Sequence, residues 1–472
     1  MAKIRNFWDL ENITSYTSHE VDQFDANTPN TGGGYFKWIK ANNTAITNIA
    51  GIRIKPTTTT DGYWLRHYEG PVKVEWFGPN YNTTLLTTAG ITQAVANTRY
   101  GAGLVNVTLD NYDTAAIKFA MKLMETQGYQ AVDFAPNIYN ITRSISLPVV
   151  VSGSAISIFE IFGNGATLKS TVGATGDILT RVPPNQTQAL NTYVDTKFDI
   201  KGFNFIGNNA VNQSAIRPGP SYGSEFSTMY FTNVDIGINL EFCLHARVTS
   251  VKGLANKYGF KADYGVAWGG STSDSQSNHT QFVQCRIFNI AGAIASFYFA
   301  SVSGCSVKDC IVEGAAPLYG IFFDYMNSTV VKDFTVENTH IEVSCINAAI
   351  YIRSSNGSYH VNKVYNQYPQ TLIEFDCPTG YPQINVSNIS FTHANTTFAN
   401  KNGGAIWKFV DCELGEAPWM SSPANYHPYK ASAWITGGAY FQPTGKYSPA
   451  HALQGNYRCY VIDPILRQVT DD

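Results

Sequence analysis

From about Lys201 onward, strand-like segments recur at a near-constant step, and no other feature limits the fold as strongly. Examples are "CRIFNIAGAIASFYFAS" from Cys285, "CIVEGAAPLYGIFFDYMNS" from Cys310, "FTVENTHIEVSCINAAIYIRSSN" from Phe334 and "INVSNISFTHANTTF" from Ile384. Aligning them puts Ile287, Ile311 and Thr335 about 24 positions apart, with Val361 one such step further on. "FDIKGFNFIGNN" from Phe198 and "HARVTSVKGLANKYGFKADYG" from His245 share the layout. Each unit holds two or three short alternating strands separated by Gly, Asn or Asp. One such unit cannot bury its apolar face alone, so stacking on neighbours must supply the core.

A row of separate hairpins would need equal strands and Asn-Gly-type turns at 8–12-residue spacing. The turns here are irregular, and units differ in length through loops such as "WGGSTSDSQSNH" from Trp268. Loops that grow without disturbing the strands suit a parallel β-helix. Against this background stands one amphipathic helix, "DTAAIKFAMKLMETQG" from Asp113. Ile117, Ala120, Met121 and Met124 share an apolar stripe, Asp113 is placed to cap the first turn, and Gly128 to end the helix. The first coil of a stack exposes an apolar layer and unpaired strand edges. The helix is expected to cover both, with "AVDFAPNIYNITRSISLP" and "ISIFEIFGNGATLKS" as the first coils.

Composition excludes several classes. A formal charge of -3 and no basic run argue against nucleic-acid binding. No stretch is apolar enough for a membrane span. "MAKIRNFWDLENITSYTSHEVD" has no apolar h-region, so no secretory signal is expected. Eight scattered cysteines without CxxC read as buried free thiols. No Cys/His spacing suits zinc, and neither a metal nor another cofactor is expected. The 28 Tyr, 27 Phe and 8 Trp suit buried ring layers and surfaces that stack on sugars.

The run "DNYDTAAIKFAMKLME", "AVDFAPNIYNI" and "IFGNGATLKS" resembles the opening of the pectate-lyase-like, right-handed β-helix superfamily. Upstream, "GGGYFKW" from Gly32 and "DGYWLRHYEGPVKVEWFG" from Asp61 resemble the N-terminal part of many bacteriophage tailspike and tail-fibre proteins. The resemblance implies a mainly β chain built as a right-handed, single-stranded parallel β-helix. It also implies an N-terminal attachment region (1–109), a β-helix with its capping helix (110–412) and a C-terminal β cap or trimerisation segment (413–472). The implied protein is a homotrimer on the virion, synthesised in the host cytoplasm. Its N-terminal region would join other tail proteins, and its β-helix would meet host surface polysaccharide without entering a membrane.

Candidate site residues fall in two columns where strands give way to turns. Aligned at the 24-residue step, Asn289, Glu313 and Glu337 form one column. The second comprises Glu241, Asp263, Asp324, Arg353 and Asp376, from "INLEF", "FKADY", "IFFDY", "IYIRS" and "EFDC". Two nearby carboxylates can serve as acid and base, or acid and nucleophile, in glycosidic cleavage, and their separation selects the stereochemistry. Glu313 with Glu337 and Glu241 with Asp263 are therefore candidates for hydrolysis. Asp324 or Asp376 beside Arg353 is a candidate lyase site, the Arg neutralising an acidic sugar. Trp268, Tyr319, Tyr325 and Tyr351 are candidate sugar-stacking residues. A face of alternating Asp and Arg is equally what cross-strand charge pairing produces on a solvated sheet. The functional readings are a tailspike that binds and cleaves polysaccharide, a purely adhesive or structural tail protein, and a free-standing bacterial lyase or epimerase.

Overall fold

In the computed structural model, strands of successive sequence units lie beside one another in parallel. The structure describes residues 3–149, 157–184, 187, 189, 193–265, 276–300, 302–325, 333–368, 371–377, 382–389, 397–403, 406–414, 420–421, 432–436, 439–440, 458–462 and 465–466. The chain divides into two units, Met1–Arg181 with Phe198–Gln213 and Val182–Lys197 with Ser214–Asp472.

In the second unit the strands of successive coils stack into three faces. Face A stacks Gln281–Val283, Cys305–Lys308, Asp333–Glu337, Ser358–Asn362, Gln383–Ser387 and Ile406–Val410. Face B stacks Arg286–Asn289, Ile311–Gly314, His340–Ile341 and Tyr365–Asn366. Face C stacks Ala295–Ala300, Tyr319–Tyr325, Ala348–Ser354 and Thr371–Cys377. The long strands Glu225–Glu241 and Arg247–Asp263 precede them and pair along their length. This is a parallel β-helix.

Faces A and B meet at a corner made by one residue per coil. Thr228, Ser250, Gln284, Asp309, Asn338, Lys363, Asn388 and Asp411 all have left-handed backbone, with φ between 46° and 55° at each. Their amides donate to the strand end of the next coil: Gln284 to the Lys308 carbonyl, Asp309 to Glu337, and Asn338 to Asn362, each at 3.0 Å. Asn and Asp tolerate this conformation best among residues with a side chain, which explains their recurrence here. The next residue turns inward: Cys285, Cys310, Thr339, Val364, Ile389 and Cys412 are all buried. Cys243, Cys285, Cys305, Cys310, Cys345 and Cys412 are free and buried, as expected.

The interior is a stack of rings. Phe299 stacks on Phe323 with centroids 5.1 Å apart, Phe323 meets Phe334 at 4.9 Å, and Phe334 meets Tyr359 at 5.4 Å. Each buried ring contributes roughly 1.5–3 kcal/mol relative to exposure. Parallel pairing also runs past residue 412. Ile406–Val410 pairs with Ser432–Thr436, which pairs with Arg458–Ile462. Coil spacing therefore continues into the segment expected to form the C-terminal cap; most of 413–472 lies outside the described residues.

The first unit begins with a five-stranded sheet, in the order Lys3–Asn6, His19–Gln23, Gly32–Lys40, Gly62–Arg66 and Arg53–Ile54. Arg66 explains the Gly-rich strand and the Trp-Leu-Arg segment together. Its guanidinium is buried and donates to the carbonyls of Gly51, Gly33 and Gly32 at 2.5, 2.7 and 2.7 Å. It also lies 4.7 Å from the Phe36 ring and 4.8 Å from the Trp76 ring. A side chain at Gly34 would collide with it. Burial lowers the Arg66 pKa to about 9, so three carbonyl dipoles and two ring faces stand in for a counter-ion.

Helix α1 spans Gln93–Tyr100 and α2 spans Tyr112–Gln127. Ile117, Ala120, Met121 and Met124 are buried on α2, which ends at Gly128 with φ 72°. The helix packs against Val74–Phe77 and against Ala131–Asp133, Ile138–Ile141 and Ile145–Ser146, strands of the first coils. Asp113 does not cap it. Asn111 is the N-cap, its side chain accepting from the Thr114 amide at 2.9 Å. Asp113, one residue inside the helix, accepts the amides of Asn80, Tyr81 and Asn140 at 2.9, 2.8 and 2.8 Å. Being fully buried, it ties the incoming chain, the helix and a coil strand to one carboxylate.

Candidate functional site

Register separates the two columns drawn from the sequence. Glu313 stands opposite Phe288 on face B, whereas Glu337 stands opposite Lys308 and Asn362 on face A. The column of Asn289, Glu313 and Glu337 therefore does not form. The corner residues show why: Gln284, Asp309, Asn338, Lys363 and Asn388 are separated by 25, 29, 25 and 25 positions. The longer second step shifts a fixed 24-residue alignment from one face to another. Glu313 takes two hydrogen bonds from Arg286, both 2.7 Å, and Glu337 pairs with Lys308 at 2.8 Å. Glu313→Gln and Glu337→Gln are expected to leave any glycan-cleaving rate of the protein unchanged, as measured by reducing-end release.

The second column is real. On face C, Glu241 is opposite Asp263, Asp324 opposite Arg353, and Arg353 opposite Asp376. Ala262 is opposite Phe299 and Ala300 opposite Asp324, so one coil bearing Ala300 lies between Asp263 and Asp324. Strand alternation sends Ile321, Phe323 and Tyr325 into the core and Phe322 and Asp324 the other way. Two residues upstream runs a parallel column of Asn239, Lys261, Tyr298, Phe322, Tyr351 and Glu374.

The carboxylates have distinct surroundings. Glu241 is 5% exposed and accepts from Arg217 at 2.7 Å and Asn239 at 3.2 Å. Burial raises its pKa, although Arg217 opposes the shift. Asp263, 6% exposed, pairs with Lys261 at 2.8 Å and accepts the Tyr264 amide at 2.7 Å. Its pKa too is raised by burial, with the Asp324 charge adding to the shift against Lys261. Asp324 is more open and receives Arg353 at 2.8 and 2.6 Å and the Tyr298 hydroxyl at 3.0 Å.

Alongside lies an aromatic band. Tyr258 meets Tyr298 at 4.8 Å, Tyr298 meets Phe322 at 5.2 Å, and Tyr319 stacks on Tyr351 at 4.5 Å and 8°. The Tyr351 hydroxyl donates to Asp376 at 2.8 Å. Burial raises Tyr258 to about 12 and pushes Tyr298 and Tyr351 higher still, so all three hydroxyls are neutral donors.

Of the candidates, Tyr319, Tyr351 and Arg353 join this region. Tyr325 does not: its ring is 1% exposed and packs on Phe334 at 5.1 Å. It occupies an inward position of its strand. Trp268 lies outside the described residues. Sequence reading missed Tyr258, Tyr298, Phe322, Arg217 and Lys261. Period-two alternation in "ASFYFA" and "YGIFFDY" held the signal, because the outward aromatic sits two residues before the position in the charged column. Among the described residues, no group of three or more His, Cys, Asp or Glu is disposed to hold a metal ion. No described helix is long and apolar enough to cross a membrane.

No family model matches the chain, and no curated protein sequence matches it. Solved structures do. The tailspike protein of Acinetobacter baumannii phage AM24 is 15% identical with a TM-score of 0.50, covering 96% of this chain and 67% of that one. Tailspike protein 3 of bacteriophage CBA120 is 13% identical with a TM-score of 0.53, covering 90% of this chain and 67% of that one. The chain thus has the parallel β-helix fold. Its structural neighbours are phage tailspikes, and at these identities the likeness is one of fold.

Proposed function

We propose that this chain is a phage tailspike that binds a host surface polysaccharide along face C and hydrolyses it between Asp263 and Asp324. The observation that carries this reading is the pair itself: two carboxylates in one register column, separated by a coil that places Ala300 at the intervening position of that column. Parallel strands lie about 4.8 Å apart, so a two-coil separation is roughly 10 Å along the face. That approaches the wider carboxylate spacing, about 6.5–9.5 Å, which admits a water beside the sugar and inverts the anomeric centre. Asp263, with its raised pKa, supplies the general acid. Asp324, more open, accepts the proton of the attacking water. Tyr258, Tyr298 and Tyr319, each partly exposed, offer ring faces for sugars on either side.

The tail setting belongs to the same proposal: a homotrimer synthesised in the host cytoplasm, joined through residues 1–109 to other tail proteins. A second reading has a specific observation in its favour. Glu241, Asp263 and Asp324 are each ion-paired, as on a non-catalytic adhesive face. Incubation with capsule or lipopolysaccharide from candidate hosts separates the two. Hydrolysis yields shortened chains whose first-formed reducing ends have inverted configuration. Binding without shortening leaves the adhesive reading, and new ultraviolet-absorbing unsaturation replaces hydrolysis with lyase chemistry.

A further inference from the structure

The first unit contains a cavity of about 600 Å³ that the glycan-cleaving column does not use. One wall is the Lys118 and Lys122 face of α2, a second is Arg143, Ser144 and Ser146 after strand Ile138–Ile141, and the third is the segment around Asn106. Its charges are unbalanced. Lys118 donates to both oxygens of fully buried Asp110 at 2.9 Å, and Lys122 pairs with Glu125 at 2.5 Å. Arg143 has no hydrogen-bond or ion-pair partner among the described residues, and its charge acts on Lys118.

We propose that this cavity binds an acidic saccharide, its carboxylate held between Arg143 and Lys118. An ammonium has three donors and Asp110 takes two, leaving the third Lys118 proton for a ligand. Arg143 presents a planar fork suited to a carboxylate. The serine hydroxyls and the Asn106 side chain are hydrogen-bonding groups suited to sugar hydroxyls. The volume falls in the usual range for small-molecule sites, about 300–1,000 Å³, and is far larger than a bare anion needs. Burial and the facing Arg143 charge both pull the Lys118 pKa down, so an anion placed between the two cations removes a repulsion already present.

Calorimetric titration of the 472-residue chain with a glucuronate-containing disaccharide tests the assignment, with the matched neutral disaccharide and inorganic phosphate as separate arms. Binding of the acidic sugar is expected to be at least tenfold tighter than of either comparator. Arg143→Gln should weaken it by about 10- to 100-fold, the loss expected for a charge-assisted hydrogen bond. Arg143 is exposed, so the variant should melt at the wild-type temperature. No binding of the acidic sugar, or equal binding by Arg143→Gln, overturns the proposal. Phosphate binding as tight as the acidic sugar overturns the saccharide assignment. None of these readouts depends on cleavage, so they stand apart from the fate of Asp263 and Asp324.

Discussion

Asp263→Asn is expected to lower the rate of polysaccharide cleavage by about 10²- to 10⁴-fold, the usual contribution of a positioned general acid. Bound polysaccharide should dissociate at close to the wild-type rate, because the aromatic band is untouched. Asp324→Asn should cause a loss of similar size for a different reason. It removes the proton acceptor and leaves the Arg353 fork facing an amide. The two variants differ in pH dependence. A group that works protonated limits the rate as pH rises through its pKa, and one that works ionised limits it as pH falls. Asp263→Asn should therefore abolish the alkaline limb of the rate profile, whereas Asp324→Asn should leave that limb in place. Wild-type rates in both variants would leave face C as an adhesive surface.

Asp113→Ala should produce the largest loss of fold stability, about 3 kcal/mol locally. Three backbone donors, from Asn80, Tyr81 and Asn140, lose their acceptor, and each stranded buried donor costs roughly 1–3 kcal/mol. The pH dependence runs opposite to that of most carboxylates. Burial raises Asp113 to about 6, against an unfolded value near 3.8, although the three amides pull it down. The folded state therefore binds the proton more tightly. The resulting stabilisation is complete below about pH 4 and is lost as pH rises through 6. The gap between wild type and Asp113→Ala should be widest near pH 4 and narrow by pH 7. Amide exchange at Asn80, Tyr81 and Asn140 reads this directly. A gap that widens with pH would show that the amides, rather than burial, dominate at this carboxylate.

Fold class was legible because the repeat and the single helix each left a clear pattern. "INLEF", "FKADY", "IFFDY", "IYIRS" and "EFDC" share a local shape, so matching them by shape recovered the face C column without counting residues. Glu313 and Glu337 were aligned by counting, and the four extra residues in the step from Asp309 to Asn338 broke the count. Tyr325 failed for a subtler reason. It adjoins Asp324, yet strand neighbours face opposite ways, so closeness in sequence guarantees separation in space. The Asp113 contacts could not be read at all. They join residues about thirty positions apart through backbone amides, which carry no mark in the side-chain alphabet.

The corner between faces A and B has one consequence for how such a chain can vary. A single residue spans it, and that residue's amide is committed to the next coil, so no slack exists there. Every additional residue must be taken up elsewhere in the turn. Kinship among chains of this type is therefore better judged by locating the hinge residue in each turn of the winding than by aligning whole sequences, whose gaps collect at the permissive edges.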